Sequence, residues 1–361
     1  MSLSEIIIEK IQNEGPVSFR DYMDICLYYP ELGYYTSSTQ KIGPEGDFFT
    51  SSNLNEVFGA MIGAQIAEMW SNLGEEKFTI VEYGAGTGRL CHDILDYLKC
   101  LPNLYNGLTY CIIEKSPVMR EIEKKHLNEK VKWVESILDI PEFNGCVLSN
   151  ELLDNFPVHQ VVMRAELMEV FVDYKNGFLE ILRPAERQLK EYLKELHINL
   201  ENDYRAEINL QAKEWIIDIS KALKKGYVIT IDYGNTSKEL YTHSRRNGTL
   251  MCYYKHKVTD DPYMRPGEQD ITSHVNFSAL VHWGAAKKLE FCGLTNQANF
   301  LLSLGYKDFI RNKEVGMQDI FALAKEEALV SKTLLIDMGE RFKVLIQRKG
   351  NLSANLKGLG S

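Results

Sequence analysis

Ile6, Ile7, Ile11 and Val17 fall at helical spacing, and the pattern continues from Arg20 to Tyr29; Val57, Met61, Ile62, Ile66 and Met69 then mark a second amphipathic helix over 56–70. Residues 1–75 therefore read as an N-terminal helical cap. From Thr79 the period changes. Short apolar runs over 79–83, 108–114, 131–134 and 146–149 read as buried strands, and helical patterns over 89–101 and 118–127 separate the first three. Strands alternating with helices predict an α/β core whose parallel sheet is covered on both faces and binds ligands at the carboxyl ends of its strands.

After Pro157 the alternation stops. Runs over 161–163, 168–173 and 178–182 read as short antiparallel strands with Asn176-Gly177 as a tight hairpin turn, and charged helices around 187–196 and 210–225 follow. The segment 159–225 is thus an insertion, and a strand over 227–233 restores the sheet, leaving Asp232 at its tip in Asp232-Tyr233-Gly234. A long substrate-side loop covers 235–275, and its aromatic and mixed polar content argues for order. Helices over 277–289, 298–304 and 318–325 and strands near 294–297 and 342–347 complete a core spanning 76–349, with 350–361 expected as a loose tail.

Composition narrows the class. The 361 residues, 45% hydrophobic and 25% charged, are ordinary for a globular chain, and a net charge of -9 disfavours nucleic acid as partner. Seven scattered cysteines without a C-x-x-C pair suggest neither a zinc site nor a disulfide framework, and no apolar run approaches the roughly 18 residues of a membrane helix. Glu5, Glu9 and Glu14 stand where a mitochondrial presequence would be Arg-rich, so a cytoplasmic protein is expected.

The chemistry begins at Glu82-Tyr83-Gly84-Ala85-Gly86-Thr87-Gly88-Arg89, where a strand runs through a glycine loop into a helix. Gly84, Gly86 and Gly88 let the backbone turn sharply and approach a ligand, and the following amides face it. A dinucleotide fingerprint requires a third glycine where this chain has Arg89, which weakens a nicotinamide oxidoreductase reading. Glu82, before the first glycine, suits a cation better than a phosphate; S-adenosylmethionine carries an ammonium and a sulfonium. Glu114 ends the next strand and is placed to accept ribose hydroxyls, while Ser116 can cap a helix starting at Pro117. Glu82, Gly84, Ala85, Gly86, Gly88 and Glu114 form the expected cofactor site.

After the fourth strand comes Asn150-Glu151-Leu152-Leu153-Asp154-Asn155-Phe156-Pro157-Val158-His159. In a helical turn, Glu151 and Asp154 would point the same way and could hold a guanidinium, with His159 assisting proton transfer and Asn150 beside them. Helix capping is an equally open role for Asp154 and Asn155, and a hydrogen-bonded structural role for His159. Asn150-Glu151-Leu152-Leu153 departs from the polar-Pro-Pro-aromatic quartet of adenine-modifying enzymes, again disfavouring nucleic acid. His274 and His282 lack the spacing of a metal-ligating pair, and no metal is expected.

These segments, together with Ser18-Phe19-Arg20-Asp21-Tyr22-Met23, Gly46-Asp47-Phe48-Phe49-Thr50-Ser51, Asp232-Tyr233-Gly234 and Pro266-Gly267-Glu268-Gln269-Asp270-Ile271-Thr272-Ser273-His274-Val275, resemble the MidA-type S-adenosylmethionine-dependent methyltransferases, which include the mitochondrial complex I assembly methyltransferase. The resemblance spans nearly the whole chain, although Ala85 replaces a frequent Pro and Thr87 a frequent Arg. It implies a Rossmann-like methyltransferase fold with a mostly parallel seven-stranded sheet, S-adenosylmethionine as cofactor, Asp47, Thr50 and Ser51 as further cofactor contacts, and methylation of an arginine on a protein substrate. The alternative is an S-adenosylmethionine-binding assembly factor acting by contact; oligomeric state stays open.

Overall fold

The computed structural model describes residues 1–37, 55–127, 130–314 and 328–360; the loop bearing Asp47, Thr50 and Ser51 and the helix expected over 318–325 lie outside them. The chain divides into two compact units, one comprising Met1–Phe48, Leu153–Trp215 and Gly234–His282, the other Phe49–Leu152, Ile216–Tyr233 and Trp283–Ser361.

The second unit carries the main sheet: β1 Phe78–Tyr83, β2 Leu108–Ile113, β3 Val131–Trp133, β4 Phe143–Asn150, β5 Leu223–Asn235, β6 Glu290–Asn296 and β7 Phe342–Lys349. Their order is β6-β7-β5-β4-β1-β2-β3. Strands β1 to β5 pair in parallel, and β7 runs antiparallel to both β5 and β6. The sheet counts eight strands, because the two-residue strand Val275–Asn276 also pairs with the end of β5 at Gly234 and Asn235. From β1 the chain winds outward through β2 and β3, then returns to place β4 on the opposite side. The order thus reverses between β1 and β4, and open α/β sheets bind ligands outside the carboxyl ends of the strands at that point.

The expected cap boundary is corrected here. Helix Glu56–Asn72 belongs to the sheet unit, packed on helix Arg89–Leu98 with Phe58, Ile62 and Ile66 fully buried. A Cβ on Gly59 would lie 2.5 Å from Asp93 Cβ, so this helix pair depends on a bare backbone. Each large apolar side chain buried in that interface contributes about 1.5–3 kcal/mol. The tail is corrected as well: Leu352 and Leu356 are buried, and the Gly358 amide donates to Gln65 Oε1 at 3.0 Å. Helix 89–101 ends at Leu98, and helices Pro102–Gly107 and Tyr306–Glu314 are additional.

In the other unit, three stretches read separately from the sequence join. Strand Leu167–Tyr174 pairs with His159–Met163, with Phe178–Pro184 and, through Val17–Ser18, with the N-terminal region; Arg205–Ile208 extends the sheet. Asn176 takes φ 62 in the expected hairpin turn. The loop expected over 235–275 contains its own three-stranded sheet of Met251–Tyr254, Lys257–Thr259 and Asp270–Thr272. One apolar core unites them: Ile7, Phe19, Tyr22 and Met23 from the N-terminus, Val170 and Val172 from the insertion, and Cys252 and Ile271 from the loop.

Candidate active site

At the end of β1 the chain takes φ 65, 58 and 77 at Gly84, Gly86 and Gly88, a left-handed region that strains any side-chain-bearing residue. The Gly84 amide donates to Ile113 O at 2.9 Å and the Gly88 amide to Ala85 O at 2.9 Å, after which helix Arg89–Leu98 begins with no side-chain cap. A Cβ on Gly84 would meet Leu152 Cδ1 at 2.9 Å, and one on Gly88 would meet Leu127 at 3.1 Å. The loop is a backbone cradle. Ser116 caps helix Pro117–His126, as its sequence suggests.

Three buried carboxyl groups surround this cradle. Glu114 accepts the Ser116 amide at 2.7 Å, with the amides of Gly86 and Lys115 also donating to it; burial raises its pKa against these bonds. Glu114 therefore organises the loop in addition to its expected ribose role. Glu82, expected to face the ligand, is 2% exposed and accepts from the Tyr110 hydroxyl at 2.7 Å, because side chains alternate along β1 and this one points into the core. Burial pushes it up to about 7. Glu123, which no local motif marks, accepts Trp133 Nε1–H at 2.6 Å and is pushed up to about 8 by burial, with Glu114 adding to the effect. A turn lined by amides and buried acids, whose ionised forms a neighbouring cation would favour, suits a cationic nucleoside better than a pyrophosphate.

At the neighbouring tip of β4, Asn150 donates to Glu151 Oε1 at 3.1 Å. Glu151 takes φ 52, and a 3-10 turn follows only over Leu153–Asn155, so no single helical turn carries Glu151 and Asp154. That expectation is corrected. Asn150 and Glu151 belong to the sheet unit, Asp154 and His159 to the other.

In that other unit, a cluster forms that spacing did not reveal. The Tyr28 hydroxyl donates to Asn155 Oδ1 at 2.7 Å, Asn155 donates to the Tyr35 hydroxyl at 3.3 Å, and Tyr35 donates to Asp270 Oδ1 at 3.0 Å. The Tyr28 and Tyr35 rings stack at 5.7 Å. Burial, and then the charges of Asp270 and Asp154, hold Tyr35 well above its ordinary pKa. Asp154 also accepts the Ser273 amide through its carbonyl at 2.8 Å. His159 Nδ1 lies 2.7 Å from Glu169 Oε1, a carboxylate–imidazole pair in a short antiparallel sheet. His274 is neutral, pushed down to about 4 by burial beside Arg245. Among the described residues no group of His, Cys, Asp or Glu could hold a metal ion, and no helix is long and apolar enough to cross a membrane.

A glycine cradle beside buried acids, at the switch point of an α/β sheet, is the arrangement of a nucleoside-binding α/β protein. Residues 61–295 match the family model Methyltransf_28, described as S-adenosyl-L-methionine-dependent methyltransferase. The chain is similar over 99% of its length to a COG1565 superfamily member from Burkholderia thailandensis solved with S-adenosyl-homocysteine, at 30% identity, 94% coverage of that chain and TM-score 0.86. It is also similar to the mitochondrial protein arginine methyltransferase NDUFAF7 of Mus musculus, 27% identical over 93% of this chain and 82% of the relative, and to the Drosophila melanogaster homolog, 25% identical over 98% and 86%. The chain belongs to the MidA-type methyltransferase family, and S-adenosylmethionine is its cofactor.

Proposed function

We propose that the methyl acceptor is an arginine nitrogen of a protein substrate. The observation that carries this reading is the hydrogen bond from the Tyr35 hydroxyl to Asp270, beside the stacked ring of Tyr28, with Asp154 a second negative charge acting on the same hydroxyl. A guanidinium is a planar cation that matches carboxylates bidentately and stacks on aromatic faces, so this combination suits it. The curated relatives bear the name protein arginine methyltransferase, which supports the same substrate.

Bound S-adenosylmethionine supplies an electrophilic methyl group. The carboxylates hold and orient the guanidinium, whose pKa above about 12 keeps it protonated until transfer. Glu169 on His159 Nδ1 leaves Nε2 to take the departing proton. Glu151, just past β4, is a further candidate catalytic carboxylate. The reaction belongs, on this reading, in the cytoplasm.

Lysate from a strain lacking the protein, incubated with the purified chain and labelled cofactor, should give methylated arginine identified by mass spectrometry. Label on another residue type refutes the arginine reading. Cofactor binding with no transfer to any protein favours the assembly-factor alternative.

A further inference from the structure

Asp232 lies one residue past Ile231, which registers with Asn150 in the parallel β4–β5 pair. It is 1% exposed. Its Oδ2 accepts the Leu152 amide at 3.1 Å and its Oδ1 the Tyr233 amide at 2.9 Å. One residue before Leu152, the Glu151 amide donates to Ile231 O at 2.9 Å. Between these two bonds Glu151 adopts φ 52, a conformation that side-chain-bearing residues rarely take. The turn so held brings Leu152 Cδ1 to 2.9 Å from where a Gly84 Cβ would stand.

From this geometry we propose that Asp232 is a positioning residue for the cofactor loop, acting through Leu152. Both carboxylate oxygens are used as acceptors of backbone N–H groups, a task an amide cannot copy: Asn offers one acceptor and turns an NH2 toward the other donor. With that bond lost, the turn relaxes toward an ordinary conformation at Glu151, and Leu152 withdraws from Gly84. The loop then loses its wall. The strand-tip Asp232-Tyr233-Gly234 thereby gains a role that does not depend on which group accepts the methyl.

The test is calorimetric titration of the full chain with S-adenosyl-homocysteine. Asp232→Asn should weaken binding about tenfold, the usual consequence of leaving a buried donor unpaired. Leu152→Ala should weaken it as well, and the double variant should bind no worse than the weaker single one, since both changes remove the same contact. A purely structural Asp232 would lower the melting temperature and give losses that multiply. Multiplied losses, or parental affinity in Asp232→Asn, overturn the proposal. If Asp232→Asn does not melt cooperatively, Glu151→Val opposes the same turn through a β-branched side chain and must reproduce the loss. Parental affinity in that variant also overturns it.

Discussion

The glycine-loop unit and the tyrosine–carboxylate unit both bury acids, but they assemble them differently. Around the loop, Glu82 and Glu114 end consecutive strands, and Glu123 stands on the helix that follows. Their partners are backbone amides, a Tyr hydroxyl and an indole N–H, all within about one βαβ unit. The other cluster draws Tyr28 and Tyr35 from the N-terminus, Asp154 and Asn155 from mid-chain and Asp270 from far downstream. On the proposed reading, the site that takes the cofactor is carried by local sequence, and the cluster assigned to the acceptor by tertiary assembly. Variants in the two units should therefore separate cofactor binding from transfer.

The largest effect is expected at Gly86. Its φ of 58 and its amide bond to Glu114 leave no place for a branched side chain, so Gly86→Val should abolish S-adenosylmethionine binding in calorimetry while melting stays cooperative. Retained binding would remove the loop from the cofactor site. Next is Glu151→Gln: although Glu151 belongs to the sheet unit, its proposed catalytic role predicts cofactor affinity near parental while methyl incorporation falls by about two orders of magnitude, the range for losing a positioned charged group. A matched loss of affinity would assign Glu151 to the cofactor instead.

Asp270→Asn sharpens the contrast further. It keeps an acceptor for Tyr35 and removes one charge from the pair, so transfer measured by mass spectrometry should fall about tenfold with cofactor affinity unchanged. Tyr28→Phe, which loses the bond to Asn155 and keeps the ring stack, should fall less. If either variant weakens cofactor binding and spares transfer, the division of labour between the units fails.

What the sequence disclosed follows the same division. The turn at Gly84, Gly86 and Gly88 was readable because only glycine takes those angles cheaply, and the Ser116-Pro117 helix start because capping is local. Glu151 and Asp154 misled because their spacing was read on a helix, whereas Glu151 is left-handed and only a 3-10 turn follows. The helix at Glu56–Asn72 showed its apolar face but not its partner, since the contact lies in Gly59 and Asp93 of different elements. Leu352 and Leu356 are too few apolar residues to signal order by themselves; they are buried because helix Glu56–Asn72 accepts the tail's amides through Gln65 and Glu68. Asp270, Tyr28 and Tyr35 were visible only as members of aromatic or motif-rich stretches, since nothing local says which strands will bring them together.

The smallest expected effect concerns acidity at the cradle. Glu82 and Glu123 sit at about 7 and about 8 in the fold against 4.5 ordinarily, raised first of all by burial. Below pH 4.5 folded and unfolded chains both hold these protons; above it the unfolded chain releases them while the fold retains them. The folded state then binds more protons, so this contribution to stability is lost as pH rises toward about 8. Each retained proton tilts stability by at most about 1.4 kcal/mol per pH unit. Glu123→Gln keeps an acceptor for Trp133 and cannot titrate, so the melting temperature of the ligand-free chain should decline less steeply with pH across that window than the parent's. A cationic cofactor favours the ionised acids, and parent binding near pH 7 should release protons, read as a dependence of calorimetric heat on buffer ionisation enthalpy that Glu123→Gln reduces. Identical slopes and identical proton release in parent and variant would show that Glu123 does not titrate with the fold or the ligand.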